Sequence, residues 1–497
     1  MTFPRLLIFP IVSWRQAGVS ACRIFPVLIL AVGLASARAR VIELSPDPSG
    51  RATMRIQQAI DAVSAAGGGV VRLGPGEYVS GTLFLRRHVE LNLPAGALLR
   101  GSPDLADYPV RRPEYRSNTD RQVERSLLYA EKQDDIALTG EGCIDFNGGA
   151  PAFQTHQDND PLRPFGLRFV TCRNVTVRDL TLRNSGQWLQ HYLNCDHVTL
   201  SGLTVFNHVN QNNDGIDIDG CRQVHVHDCR VDSDDDGICL KSNGPAACED
   251  VLVENCTVSS HCNALKLGTE TTGGFHRIVI RNCRIVPSVT GPRHIYGLDG
   301  GLSMIAMMIV DGGTLDDVEV SGLTGSGVLS PIFIRLGNRA RRYTEGVPAP
   351  GVGHVRNLRL RDITATASGP AASQITGLSP EHPVESVRLE NIRLSSLGGG
   401  YPEDVTMAPP LDEKGYPNPG AMGRLPAFGL YCRYVRGLTL DGVACELAGD
   451  DPRPACVFDH VSAVQLTGVT ARMRGWNIPP LRFHSCEDVD ITPLTNP

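Results

Sequence analysis

The chain has 497 residues, 41% of them hydrophobic and 20% charged, and a formal net charge of −6. That acidic balance argues against a nucleic-acid partner. No stretch beyond residue 39 is long and apolar enough to span a membrane.

The N-terminus carries Arg5, Arg15 and Arg23, an apolar run from Ile24 to Ala35 broken by Pro26, and the small-residue sites Ala35-Ser36-Ala37 and Ala37-Arg38-Ala39. This order predicts a signal peptide over 1–39 and an exported domain over 40–497, secreted or periplasmic. Its removal takes Arg5, Arg15, Arg23 and Arg38 and no acid, so −6 becomes −10. Next, Ile56, Ile60 and Val63 lie at helical spacing and Gly67-Gly68-Gly69 closes the pattern. A short amphipathic helix is expected there, capping the first coil of a stack of strands. Alternating strands are expected at 70–73, 82–85 and 89–93.

A repeat then runs to the end of the chain. An anchor residue, two residues, Val/Leu/Ile, one residue, Val/Leu/Ile, two residues and an apolar residue or Cys recur with first and last positions eight apart. Copies start at Cys172, Cys195, Cys221, Cys248, Phe275, Leu315, Val355, Val384, Val435, Val461 and Cys486. The first intervals are 23, 26, 27 and 27 residues, and the later, longer ones fit the same coil with inserted loops. Such a period describes stacked short parallel strands. The predicted fold is all-β, a right-handed parallel β-helix with a short N-terminal capping helix. Loops are expected at 104–126, 146–164, 286–303, 338–352 and 399–425, the last walling or covering a groove.

The chain has fifteen cysteines. Most occupy inward positions of the repeat, in columns 172/195/221/248 and 229/256/283, and are expected to be unpaired core residues. No CxxC pair or His/Cys cluster has metal-ligand spacing, so neither a metal nor another cofactor is expected.

Two acidic segments carry the chemistry: Asn212-Asn213-Asp214-Gly215-Ile216-Asp217-Ile218 and Asp235-Asp236-Gly237-Ile238-Cys239-Leu240-Lys241-Ser242. Aligned by their Gly-Ile pairs, Asp214 and Asp236 stack, and Asn263 continues the column one coil on. Crowded carboxylates repel, so at least one holds its proton to higher pH. That pairs a protonated acid with an ionised base, as glycosidic bond hydrolysis requires. Asp217, Asp219, Asp232 and Asp234 are read as structural strand-end residues. A Ca²⁺ site is the rival reading for the acids.

These motifs, together with Gly81-Thr82-Leu83 and Leu93-Pro94-Ala95-Gly96-Ala97, resemble glycoside hydrolase family 28, the polygalacturonase family of inverting hydrolases on a β-helix. The resemblance implies Asp235 as general acid, with Asp214 and Asp236 positioning and deprotonating water. It departs from the family in two places. The family's Gly-His-Gly histidine falls at Asn263, with His261 two residues earlier, and which of them takes its role stays open. The Arg-Ile-Lys that clamps a galacturonate carboxylate is replaced by an uncharged stretch containing Met307 and Met308. The chain instead resembles a bacterial branch with Asn-Ala-Leu-Lys-Leu-Gly-Thr and Pro-Ile-Phe-Ile-Arg-Leu-Gly-Asn-Arg, which makes Lys266, Arg335 and Arg339 candidate cations. Asn212, His261, Asn263, Lys266 and Arg335 are the expected substrate contacts. Trp188 is a candidate for stacking on a sugar, and Met307 or Met308 for facing a less charged ring.

The resulting expectation is an exported, monomeric glycoside hydrolase acting on a pectic or related polysaccharide or oligosaccharide. A β-helix lyase or epimerase and a non-catalytic carbohydrate-binding β-helix are the alternatives. The lyase would need a cation-rich site beside the acids.

Overall fold

The computed structural model describes residues 40–47, 52–121, 124–154, 162–295, 298–473 and 478–492. The expected signal peptide lies outside them.

The helix spans Thr53–Ala65 and buries Ile56, Ala59, Ile60 and Val63. It ends where expected, with Gly68 N–H bonded to Val63 O at 3.0 Å and Gly67 and Gly68 at positive φ. Its apolar face joins the main core alongside Val71, Leu73 and Leu91, closing the first coils. Three strands not expected from sequence, Arg40–Leu44, Gly76–Ser80 and Ala97–Gly101, complete these coils.

Beyond the helix the chain is a parallel β-helix, in which each strand pairs with its equivalent one coil away. Crossovers between parallel neighbours take the right-handed sense as a rule. The repeat anchors predict the register. Val175, Val198, Val224, Val251, Ile278, Val318, Leu358, Val387, Leu438, Val464 and Val489, each three residues past an anchor, form one unbroken column. Cys221, Cys248 and Phe275 are each fully buried at equivalent positions. The reason is the two-residue period of a strand: a one-residue slip would turn every interior Val outward. All fourteen cysteines of the described residues are free thiols. In the ladder, Cys221 Sγ accepts from Cys195 N–H at 3.3 Å.

A second column of strands positions the site. Ile216–Asp219, Ile238–Ser242, Asn263–Thr271 and Gly301–Ile309 pair in succession. Ile216, Ile238, Leu265 and Ile305 point inward in register, so Asp217, Cys239, Lys266 and Ala306 point outward. Loops cover this outward face, and its side chains are consequently buried as well. Met307 belongs to the interior core, and Met308, on the outer face, packs with Ala306 and Phe333 at 1% exposure. One of the two thus points into the core, as strand alternation requires, and the outward one is covered by protein, so neither is open to the sugar ring expected from sequence.

Candidate active site

The stacking that places Ile216, Ile238 and Leu265 in register puts Asp214, Asp236 and Asn263, two residues before them, in one column, with Ser303 next. The coils approach closely at the following residue. A Cβ on Gly215 would lie 2.6 Å from Val231 and one on Gly237 only 2.5 Å from Ala264 O, which explains glycine after each acid.

The turns carrying the acids are pinned from the preceding column. Asn207 Nδ2 donates to Asp214 O at 2.9 Å, and Asn213 Nδ2 donates to Ser185 O and Gln187 O at 3.0 and 2.9 Å. Ser233 Oγ donates to Asp235 O and Asp236 O, and Ser260 Oγ to Asp235 O. Each interaction fixes a backbone carbonyl rather than a carboxylate, leaving the acids for chemistry.

Their environments differ. Asp236 is 2% exposed and surrounded by donors: Asn263 Nδ2 at 2.9 Å, Asn263 N–H at 3.3 Å and the Lys266 ammonium. That surround matches an ionised carboxylate, which only accepts. Asp235 is half-buried, the most solvent-facing of the three acids. Burial and the neighbouring Asp236 charge push its carboxyl above the usual range, against the pull of Lys266 and Lys241. Asp214 Oδ1 is buried without a hydrogen-bond partner. Its carboxyl is pushed well up by burial and by Asp217, with Lys241 opposing.

Lys241 makes the second ion-pair group. Its ammonium lies 3.3 Å from Asp214 Oδ2, 3.2 Å from Asp217 Oδ1 and 4.3 Å from the Trp188 ring centre. Asp217 is therefore part of the site, although it reads from sequence as a strand-end residue. Burial raises its carboxyl to about 7, with Lys241 pulling the other way. A carboxyl raised in the folded state binds its proton more tightly there than in the unfolded chain. Stability should therefore fall as pH rises from the ordinary carboxyl range through about 7. In Asp217→Asn, thermal midpoints measured from pH 4 to 8 should show a shallower decline, the share of Asp214 remaining; an unchanged slope would contradict the assignment.

The other residues singled out from sequence fall in and around this site. Lys266 stands within it, paired with Asp236, and its ammonium lies 3.3 Å from Tyr416 Oη. Tyr416 comes from the loop expected to wall the groove. Arg335 lies two coils beyond Lys266, in register with Met308. Its guanidinium donates to Leu411 O and to Asp412 O, the latter at 3.0 Å, so it anchors the Tyr416 loop and is not among the acids. Arg339 pairs with Asp311, and Arg341 with Glu270 and Asp311. Burial pushes Glu270 up, but Arg341, Lys241 and Arg339 outweigh it and hold its carboxyl well below the usual range. Asn212 takes a left-handed backbone (φ 51°), and its Oδ1 accepts from Arg163 at 2.9 Å, so it shapes the turn before Asp214. His261 turns away from the acid column to Asp234. Trp188 is 7% exposed and stacks on Phe165 at 5.2 Å, so it is a packing residue under Lys241 rather than a sugar platform.

Sequence reasoning passed over Asp217, Lys241, Glu270 and Tyr416. For the first two a signal was present: Asp-Ile-Asp and Cys-Leu-Lys put Asp219 and Lys241 on the same outward position of neighbouring coils, with Asp217 two residues before Asp219 on the same face.

Known proteins resemble this chain in both sequence and fold. The "Probable polygalacturonase" of Vitis vinifera is 29% identical over 200 residues, 38% of this chain and 41% of that protein. An Arabidopsis thaliana "Probable polygalacturonase" is 31% identical over 108 residues, 22% of this chain and 23% of its own length. The chain thus spans less than half the length of these relatives. Among solved structures, the exopolygalacturonase of Thermotoga maritima superposes with a TM-score of 0.63 at 19% identity, covering 81% of this chain and 91% of that one. The family 28 exopolygalacturonase of Yersinia enterocolitica gives 0.63 at 17% identity, covering 92% and 80%. At these identities the superpositions establish the fold. The model of glycosyl hydrolases family 28 matches residues 114–409, more than half of the sequence, and the chain belongs to that family.

Proposed function

We propose that the chain hydrolyses glycosidic bonds in a pectic or related polysaccharide or oligosaccharide, with inversion, after export from the cytoplasm. Asp235 protonates the leaving oxygen. Asp236 takes the proton of the attacking water, and the partnerless Asp214 Oδ1 helps to hold that water. The observation that carries this reading is the contrast between adjacent carboxyls: Asp235 is pushed up and half-exposed, while Asp236 is enclosed by donors. Inverting acid and base usually stand about 6.5–9.5 Å apart; carboxylate oxygens of Asp235 and Asp236 lie within 4.8 Å of each other, so the inverting outcome is carried by the family and not by this spacing.

The charges also support a substrate class. Among the described residues, Lys241, Lys266, Arg339 and Arg341 around the site are each paired with an acid. None is left over to act as a dedicated carboxylate clamp, whose charge-assisted bonds are worth about 1.5–3 kcal/mol each. This also disfavours a lyase, which needs cationic help at a uronate. Unmodified polygalacturonan should therefore be a poor substrate, turned over at least about tenfold more slowly than a branched or mixed pectic oligosaccharide or a neutral or rhamnose-type glycoside. A product assay across such a panel should find hydrated ends only. Unsaturated ends would overturn hydrolysis. Efficient depolymerisation of polygalacturonan, lost in Lys266→Ala, would overturn the specificity, and no turnover on any member would favour a binding role.

A further inference from the structure

A second cluster of ionisable groups lies just behind the acid turn, and the glycosidase reading does not use it. Strands Thr204–Asn207, Arg230–Ser233 and Thr257–Ser260 end in register, with Asn207, Ser233 and Ser260 paired. The next residue on each coil is His208, Asp234 and His261. The spacings of 26 and 27 residues are those of the coil itself. A metal motif looked for at short sequence spacing is blind to this arrangement.

Hydrogen bonds fix both imidazoles. His208 Nε2 lies 2.9 Å from Asp232 Oδ1. A carboxylate only accepts, so the proton sits on Nε2 and Nδ1 keeps its lone pair. That Nδ1 is buried without a hydrogen-bond partner on a side chain 7% exposed, and it faces Asp234 Oδ1 at 4.0 Å. His261 Nδ1 lies at hydrogen-bond distance, 3.0 Å, from Asp234 Oδ1, and Nε2 lies 2.8 Å from Gly291 O; with its one proton on Nε2 the neutral ring would offer Nδ1 as a ligand atom. Thr290 Oγ1 stands 3.1 Å from the same Nε2 and can accept from it as well. Three atoms able to ligate a metal thus converge. A proton on His261 would satisfy the His261–Asp234 contact but would leave His208 Nδ1 unpaired. Arg293 engages the other oxygen of Asp234, Oδ2, and leaves Oδ1 to the cluster.

We propose that His208, Asp234 and His261 bind a divalent first-row transition-metal ion of the Zn²⁺ class. Two imidazole nitrogens and one carboxylate oxygen are a donor set suited to such ions, and water can fill the remaining position. Asp232 on His208 supplies the carboxylate–histidine support that orients a metal-bound imidazole. The three ligand atoms lie within 4.8 Å of one another. Bonds of about 2.0–2.2 Å require them to close to roughly 3.3 Å, a movement within the reach of side-chain rotation. The ion would tie three successive coils together at the residue preceding Asp235 and so act as a positioning element for the acid turn.

The test is metal content and thermal stability of the purified protein, stripped with chelator and then dialysed against micromolar Zn²⁺. A second cluster, Asp459, His460 and His484, is more exposed and serves as the control. The expected result is one zinc per chain retained through gel filtration, with a thermal midpoint raised by roughly 3–5 °C. Retention should survive His460→Gln and be lost in His208→Gln and in His261→Gln. If the latter two fail to fold, X-ray absorption on zinc-loaded His460→Gln decides the matter, since two imidazole ligands are expected there. Zinc lost with His460→Gln but kept in His208→Gln, a coordination shell without two imidazoles, or no zinc retained by the folded protein would overturn the proposal.

Discussion

Replacing Asp235 by Asn should lower turnover by roughly 10²–10⁴ while leaving substrate binding little changed, since it keeps shape and hydrogen bonding but removes the donated proton. The pH profile sharpens the test. A general acid must be protonated to act, so the rate of the parent protein should fall as pH rises through the Asp235 carboxyl, which burial and Asp236 place above the ordinary range. In Asp235→Asn that alkaline limb should disappear. Near-parental turnover on a substrate with a poor leaving group would refute the role.

Lys241→Met should produce the largest loss of stability of any single change in the site. Met preserves the stem that packs over Trp188 but removes the charge that lies 3.3 and 3.2 Å from Asp214 and Asp217. All three side chains are at most 3% exposed. Deleting one partner of a buried ion pair typically costs about 3–5 kcal/mol, because the remaining charge stays uncompensated. The loss has a pH signature. Asp214 and Asp217 are both raised in the folded state, and losing Lys241 raises them further. Lower pH favours their protonated forms, which tolerate its absence, and higher pH favours the ionised forms, which do not. Urea unfolding at pH 5 and pH 8 should show the larger deficit at pH 8. An equal deficit at both would mean that Lys241 acts through packing alone.

The coil and its register were legible because an interior position in a solenoid repeats with the coil, and the two-residue strand period leaves no freedom to slip. The Asp214, Asp236 and Asn263 column followed from the same rule. Residues on the outward face were harder to read. Asp217 and Lys241 occupy positions that are solvent-facing in a bare solenoid and are buried here only because loops fold over them. Nothing local in sequence says which loop covers which strand: Tyr416 reaches Lys266 across 150 residues. Arg335 shows the converse. Its place in the Pro-Ile-Phe-Ile-Arg-Leu-Gly-Asn-Arg segment suggested a substrate cation, but the carbonyls of Leu411 and Asp412 claim its guanidinium. Met308 faces outward as strand alternation allows, yet is covered by its neighbours. The histidine pair behind the acid turn was hidden for a related reason, since its ligands are adjacent in space only at coil spacing.

The most direct test of hydrolysis by these three acids is the anomeric configuration of the first product, observed by proton NMR during rapid hydrolysis of a pectic oligosaccharide before mutarotation. The proposed roles, Asp235 as acid and Asp236 as the base that serves water, predict a hemiacetal of inverted configuration. A retained anomer, or an unsaturated sugar in its place, would contradict the roles given to Asp235, Asp236 and Asp214.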